Sequence, residues 1–170
     1  MDNHMNIEPI FTKAISRYTE GNYEESVRLF SDVLSGDPAH KLSLISRGSA
    51  HLKLGETDSA MTDFDTLIDL HPDYARAYHL RGLPHEQRGE DKTAVADFDR
   101  AIELDPGYGA AYASRAVVHQ KLGNDALATE DMSMLTSLTQ VNMETFANEN
   151  NIWQTHHMRV EDAMETELNR

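Results

Sequence analysis

A period of 34 residues runs through this chain of 170. Residues 63–74 read DFDTLIDLHPDY and residues 97–108 read DFDRAIELDPGY, identical at seven of twelve positions. Gly21, Gly55, Gly89 and Gly123 keep the same spacing, as do Pro38, Pro72 and Pro106. Phe30, Phe64 and Phe98 form a further column, with Met132 in the fourth place, and Ser26, Ala60, Ala94 and Ala128 form another. A repeat of this length is one supersecondary unit that cannot bury its apolar stripe alone. Stacking copies supplies the missing cover, so the period dictates an array.

The units are residues 7–40, 41–74, 75–108 and 109–142, preceded by a tail (1–6) and followed by a segment (143–170) that leaves the period. Each unit holds two helical patterns. In the third unit the first runs from Ala75 to about Arg88 and the second from Asp91 to Leu104, stopping short of Pro106, which cannot continue a helix. The small Ala60, Ala94 and Ala128 let the two helices approach, and the Phe column fills the space between them. Asn22 followed by Glu25 predicts an approximate capping box. In the last segment Trp153, His157, Val160, Met164 and Leu168 stand at helical spacing after Asn150 and Asn151. A helix there is expected to cap the open end of the fourth unit, or to carry self-association.

The period, with RG in the first helix, A…F in the second and a closing LDP, resembles the tetratricopeptide repeat family across 136 residues (7–142). The end units drift: Ala14 and Ala116 stand where Gly48 and Gly82 do, and Gln140 replaces the closing proline. The resemblance implies an all-α, right-handed solenoid of helix-turn-helix repeats. It also implies a concave groove lined by first helices, where a protein or peptide partner would sit. Slot by slot, that groove is expected to hold Phe11, Ile15 and Tyr18, then Leu42, Ile45, Ser49 and Lys53, then Arg76, His79, Leu83 and Glu86, then Val117 and Lys121. Chaperone-binding members of the family grip an acidic peptide end with basic and amide side chains. The matching slots here hold Phe11, Ile15, Ser46 and Leu80, with Arg76 alone basic, so that clamp is absent and an apolar segment suits the groove better.

Arg47, Arg81 and Arg115 share a slot in the first helix, and Asp63, Asp97 and Asp131 lie 16 residues on in the second. Facing one another within a hairpin, they predict three structural Arg–Asp pairs. Unit one has Lys13 and Leu29 there and is expected to lack the pair. His51, His85 and His119 also share a slot, but stacked helices hold such residues about 9–10 Å apart, whereas zinc ligands converge to about 2.1 Å from one ion. Packing is the expected role, with no metal or other cofactor. Asp58, Asp65, Asp69, Asp99 and Glu103 read as a solvated acidic exterior. Pro84, inside a first helix, removes the hydrogen bond to Leu80 and predicts a kink.

No catalytic motif appears, and the absence of cysteine excludes disulfides and thiol chemistry. A formal charge of −14 argues against nucleic acid and anionic membranes as partners. Neither a secretory leader nor a run of about 18 apolar residues is present, so the cytoplasm is the expected compartment and membrane insertion is not expected. The function implied is that of a non-enzymatic scaffold or adaptor for protein–protein interaction. The alternative is a homo-oligomeric assembly module joined through the Trp153 helix or an end repeat.

Overall fold

The computed structural model describes residues 7–144, which form eight helices and no strand. They are α1 (Glu8–Thr19), α2 (Tyr23–Gly36), α3 (Lys41–Lys53), α4 (Thr57–Leu70), α5 (Ala75–Gln87), α6 (Asp91–Leu104), α7 (Gly109–Lys121) and α8 (125–144). Odd-numbered helices are the first of each hairpin and even-numbered helices the second. Inside every hairpin the turn glycine adopts positive φ, from +73° at Gly89 to +80° at Gly21, a conformation only glycine takes without strain. The following N–H reaches back five residues, as Asn22 does to Arg17 and Glu90 to His85, closing the first helix.

The second helices α2, α4 and α6 each end two residues before a proline, after which the chain turns into the next unit. Thr139 and Gln140 stand at the matching place in α8, nothing halts the helix, and it runs on to residue 144.

Phe30, Phe64 and Phe98 are fully buried. The ring of Phe64 lies on Gly48 so closely that a Cβ there would stand 2.5 Å from its Cε1, and Phe98 lies on Gly82 in the same way. Glycine at these two slots is therefore a packing requirement. Each second helix then packs on the first helix of the next unit, α2 on α3, α4 on α5 and α6 on α7. Among the described residues α8 has no such successor. Met132, in the slot where three phenylalanines are fully covered, is accordingly 50% exposed.

One expectation is corrected. Asn22 is the N-cap of α2, but its side chain makes no capping bond. Glu25 turns instead to Arg17 at 3.1 Å and Lys13 at 3.7 Å, because two cations on α1 outbid a backbone N–H. Pro84 sits fully buried inside α5, which continues through it to 13 residues, the same length as α3 and α7.

Candidate functional site

First helices of consecutive units touch (α1 with α3, α3 with α5, α5 with α7), whereas α2, α4 and α6 do not touch one another. The hairpins therefore fan outward, with first helices on the inside of the curve. Along each first helix, positions i, i+7 and i+11 make a nearly straight line, since 3.6 residues complete a turn. The line is Leu42, Ser49 and Lys53 on α3, Arg76, Leu83 and Gln87 on α5, and Ala110, Val117 and Lys121 on α7. Leu42 is 53% exposed and Val117 54%, while Ser49 and Leu83 are half-buried between them. Ile15 continues the line on α1.

The expected groove residues divide between this line and a second slot three residues on, and the second slot is not open. Ile45 is buried in a cluster with Phe64, Ala77 and Leu80. His79 is buried too, with its Nε2 3.0 Å from Ser114 Oγ, its Nδ1 3.2 Å from the Tyr108 hydroxyl, and its ring against Phe98 and Tyr108. Burial and, secondarily, the Arg76 charge press its pKa down to about 4, so the imidazole is neutral. Phe11 packs in the same manner on Phe30 and His40, with ring centroids 5.9 and 5.0 Å away. Ile45 and His79 seal one unit to the next, and Phe11 packs within its own unit. The two slots lie about sixty degrees apart on a helix, a rotation that the period alone leaves open.

At the far end of the line the groove becomes polar. Lys121 Nζ lies 2.7 Å from Asp91 Oδ1. Burial raises the pKa of Glu86 against the opposing pull of Lys121. Burial likewise raises that of Tyr18, which meets Tyr23 edge-on at 5.4 Å.

A ladder of charge ties the units together. Arg81 Nε and Nη2 donate to Asp97 at 2.9 and 2.7 Å. Arg47 donates likewise to Asp63 at 2.9 and 2.5 Å, and Arg115 to Asp131 at 3.0 and 2.6 Å. The third nitrogen of each guanidinium reaches 16 residues backward, into the preceding unit. Arg47 Nη1 donates to Ser31 Oγ (3.0 Å), Arg81 Nη1 to Asp65 (3.0 Å) and Arg115 Nη1 to Asp99 (2.5 Å). Asp65 and Asp99, read from sequence as solvated, are therefore rungs between units. Residues two apart on a helix point about 200° from each other. In each DFD triplet the first Asp thus serves its own unit, the Phe fills the core and the second Asp serves the next. A search for carboxylates at −16 as well as +16 from each Arg finds every acidic rung of the ladder.

The tetratricopeptide repeat family matches residues 11–75 and 45–109, together more than half of the chain. The chain belongs to the tetratricopeptide repeat family. A tetratricopeptide repeat and J domain-containing co-chaperone of Fusarium oxysporum f. sp. lycopersici is 31% identical over 72 residues, 42% of this chain and 14% of that protein. Its counterpart in Cryptococcus neoformans is 25% identical over 60 residues, 35% of this chain and 12% of that one. The chain thus spans a small part of these relatives. Among solved structures, a tetratricopeptide repeat protein from Parabacteroides merdae superposes with a TM-score of 0.72 at 25% identity, over 82% of this chain and 54% of that one. MamA from Desulfovibrio magneticus RS-1 gives 0.72 at 22% over 80% and 77%. The first tetratricopeptide domain of Spaghetti (RPAP3), bound to the HSP90 peptide SRMEEVD, gives 0.65 at 22% over 71% and 96%.

In this tetratricopeptide array the histidine column has a packing and bridging role. His51 and His85 place Nδ1 2.6 and 2.5 Å from Glu56 and Glu90, which precede α4 and α6. His119 meets Asn124 at that slot, and its buried Nδ1 has no hydrogen-bond partner. Among the described residues no group of three or more His, Asp or Glu is arranged to hold a metal ion, and no helix is long and apolar enough to cross a membrane. Trp153 and the rest of the expected terminal helix lie outside the described residues.

Proposed function

We propose that the chain is a non-enzymatic scaffold whose inner face binds an apolar segment of another protein. The observation that carries this reading is the line from Leu42 to Val117. In an array whose other facing slots are filled, these two large aliphatic side chains stand more than half exposed on the concave side. The neighbour in complex with an HSP90 peptide supports peptide capture as a use of such a face. Here, however, Phe11, Ile15, Ser46 and Leu80 occupy the slots expected to grip an acidic peptide end, which favours an apolar ligand. We place the protein in the cytoplasm, in keeping with a sequence free of cysteine.

The test pairs Leu42→Asp with Val117→Asp, both exposed and so compatible with the fold, and compares them with Leu70→Asp on the outer helix α4. Partners that co-purify with the wild type from its source cells should be lost from the first variant and kept by the second. Equal capture by all three would refute the groove.

A second reading, self-association, is favoured by the apolar surface of α8, where Met132, Met134 and Met143 are exposed. Multi-angle light scattering decides it: a monomeric mass at every concentration removes it.

A further inference from the structure

We infer that the hollow between the second helices α2 and α4, beside the Arg47 guanidinium, is a binding site for an aromatic carboxylate. It lies on the outer side of the array, away from the groove, and stands independently of the reading above.

The three joints between units share one plan and can be compared slot by slot. At the joint of units two and three, Arg81 holds Asp97 of its own unit at 2.7 Å and Asp65 of the preceding one at 3.0 Å. The ring of Tyr78 covers that guanidinium, its centroid 5.7 Å from Arg81 Cζ. At the next joint Arg115 holds Asp131 and Asp99, and the ring of Tyr112 lies 5.6 Å away. Each of these arginines thus has an inner carboxylate, an outer carboxylate and an aromatic ring.

Arg47 has the inner carboxylate alone. One period before Asp65 stands Ser31, and one period before Tyr78 stands Leu44. Arg100, whose Cζ lies 5.8 Å from the Tyr78 centroid, is Thr66 at this joint. Shorter side chains in these slots leave a hollow of about 320 Å³, at the small end of the roughly 300–1,000 Å³ that ligand sites occupy. Leu44 and Arg47 line it from α3, Ser31 and Ser35 from α2, and Thr62 and Thr66 from α4.

The lining has the chemistry to replace what the joint lacks. Arg47 gives two bonds to Asp63 and one to Ser31 Oγ, and its guanidinium has further N–H donors on Nη1 and Nη2. The four hydroxyls donate to carbonyls of their own helices (Ser31 to Val27, Ser35 to Asp32, Thr62 to Asp58, Thr66 to Thr62) and can rotate toward a ligand. Asp63 does not bar a second anion, because Arg81 and Arg115 each carry two. A ring beside Arg47 with its carboxylate on Nη1 recreates the Tyr78–Asp65 and Tyr112–Asp99 arrangements. A bare inorganic anion gains no ring contact and meets a chain of net charge −14, which selects for the aromatic acid.

Nuclear magnetic resonance titration of the full isotope-labelled chain with phenylacetate tests this. Backbone amides of Leu44, Arg47, Thr62 and Thr66 should shift and saturate together, with the neutral phenylacetamide at least about tenfold weaker. Ser31→Asp installs the outer carboxylate at a slot that holds Asp in both other joints. It should keep the fold, raise Tm and abolish saturation, and Leu44→Tyr, which installs the ring, should also abolish it. Tighter binding of N-acetyl-glycyl-phenylalanine than of phenylacetate supports the site and assigns its ligand to a protein chain end, whereas the reverse order supports a free small acid. Saturation that survives Ser31→Asp, equal binding of phenylacetamide, the same shifts with inorganic phosphate, or no saturation with either acid would each overturn the inference. Shifts centred on Leu42, Ser49 and Val117 would also overturn it, by placing the acid in the groove.

Discussion

Removing the carboxylate of Asp97 isolates the inner rung of the ladder. The Asp97 side chain is 8% exposed and accepts two bonds from Arg81, whose guanidinium is held even more firmly protonated than usual, chiefly by that hydrogen bonding. Breaking a buried ion pair generally costs about 3–5 kcal/mol, because the remaining charge is stranded. Here the stranded charge is partly rescued: Arg81 is 27% exposed and keeps Asp65 at 3.0 Å. We therefore expect Asp97→Ala to lose about 2–3 kcal/mol, lowering Tm by about 4–12 °C for a chain of this size. Asp65→Ala removes the half-exposed outer rung and should cost at most about 1 kcal/mol. The double change Arg81→Met with Asp97→Leu removes both charges together and should recover most of the loss. Urea and thermal unfolding followed by far-ultraviolet circular dichroism measure all three. Equal losses for Asp97→Ala and Asp65→Ala would refute the division into inner and outer rungs.

Further outcomes follow from the packing. Gly82→Ala places a methyl against the fully buried Phe98 ring and should destabilise by about 1–3 kcal/mol, read as a lower urea midpoint. Ser26→Ala should stabilise by roughly 1 kcal/mol, read as a higher urea midpoint, because the buried hydroxyl has no hydrogen-bond partner and alanine fills the same slot in the other units. His79 is neutral in the fold and protonates more readily when unfolded, so its contribution is present above pH 6.5 and fades as pH falls toward about 4. His79→Phe should flatten stability over that window relative to the wild type in parallel melts. Asn124→Glu should stabilise the fourth unit by giving His119 the partner that His51 and His85 have, visible as a higher Tm.

The repeat made much of this fold readable. Periodic Gly, Phe and Pro columns place every hairpin turn, core wedge and second-helix end, and the loss of the last proline explains why α8 runs on. Half of the ladder was readable as well, since Arg and Asp share a unit. The other half was hidden because Asp65 and Asp99 pair across a unit boundary, and a unit examined alone shows them only water. The expected groove slots lie on the first helices, but the period alone does not say which of them packing covers. Ile45 and His79 are about sixty degrees around the helix from Leu42 and Arg76, and only packing against Phe64, Phe98 and Tyr108 decides which pair is covered. Glu25 shows a different limit: a capping pattern yields when two cations on the neighbouring helix reach the carboxylate first.

The ladder also has polarity, and its two ends do not match. For one copy to stack on another and prolong the solenoid, a guanidinium at the front of unit one would have to meet an acid at the back of unit four. The front offers Lys13, already engaged by Glu25, and the back offers the neutral Ser133 where the DFD triplets carry their second Asp. Open-ended, head-to-tail growth is thereby denied the ion pair that joins unit two to unit three and unit three to unit four. Among the described residues, the exposed methionine face of α8 is a surface through which two copies could meet in a closed, two-fold pair without such a rung.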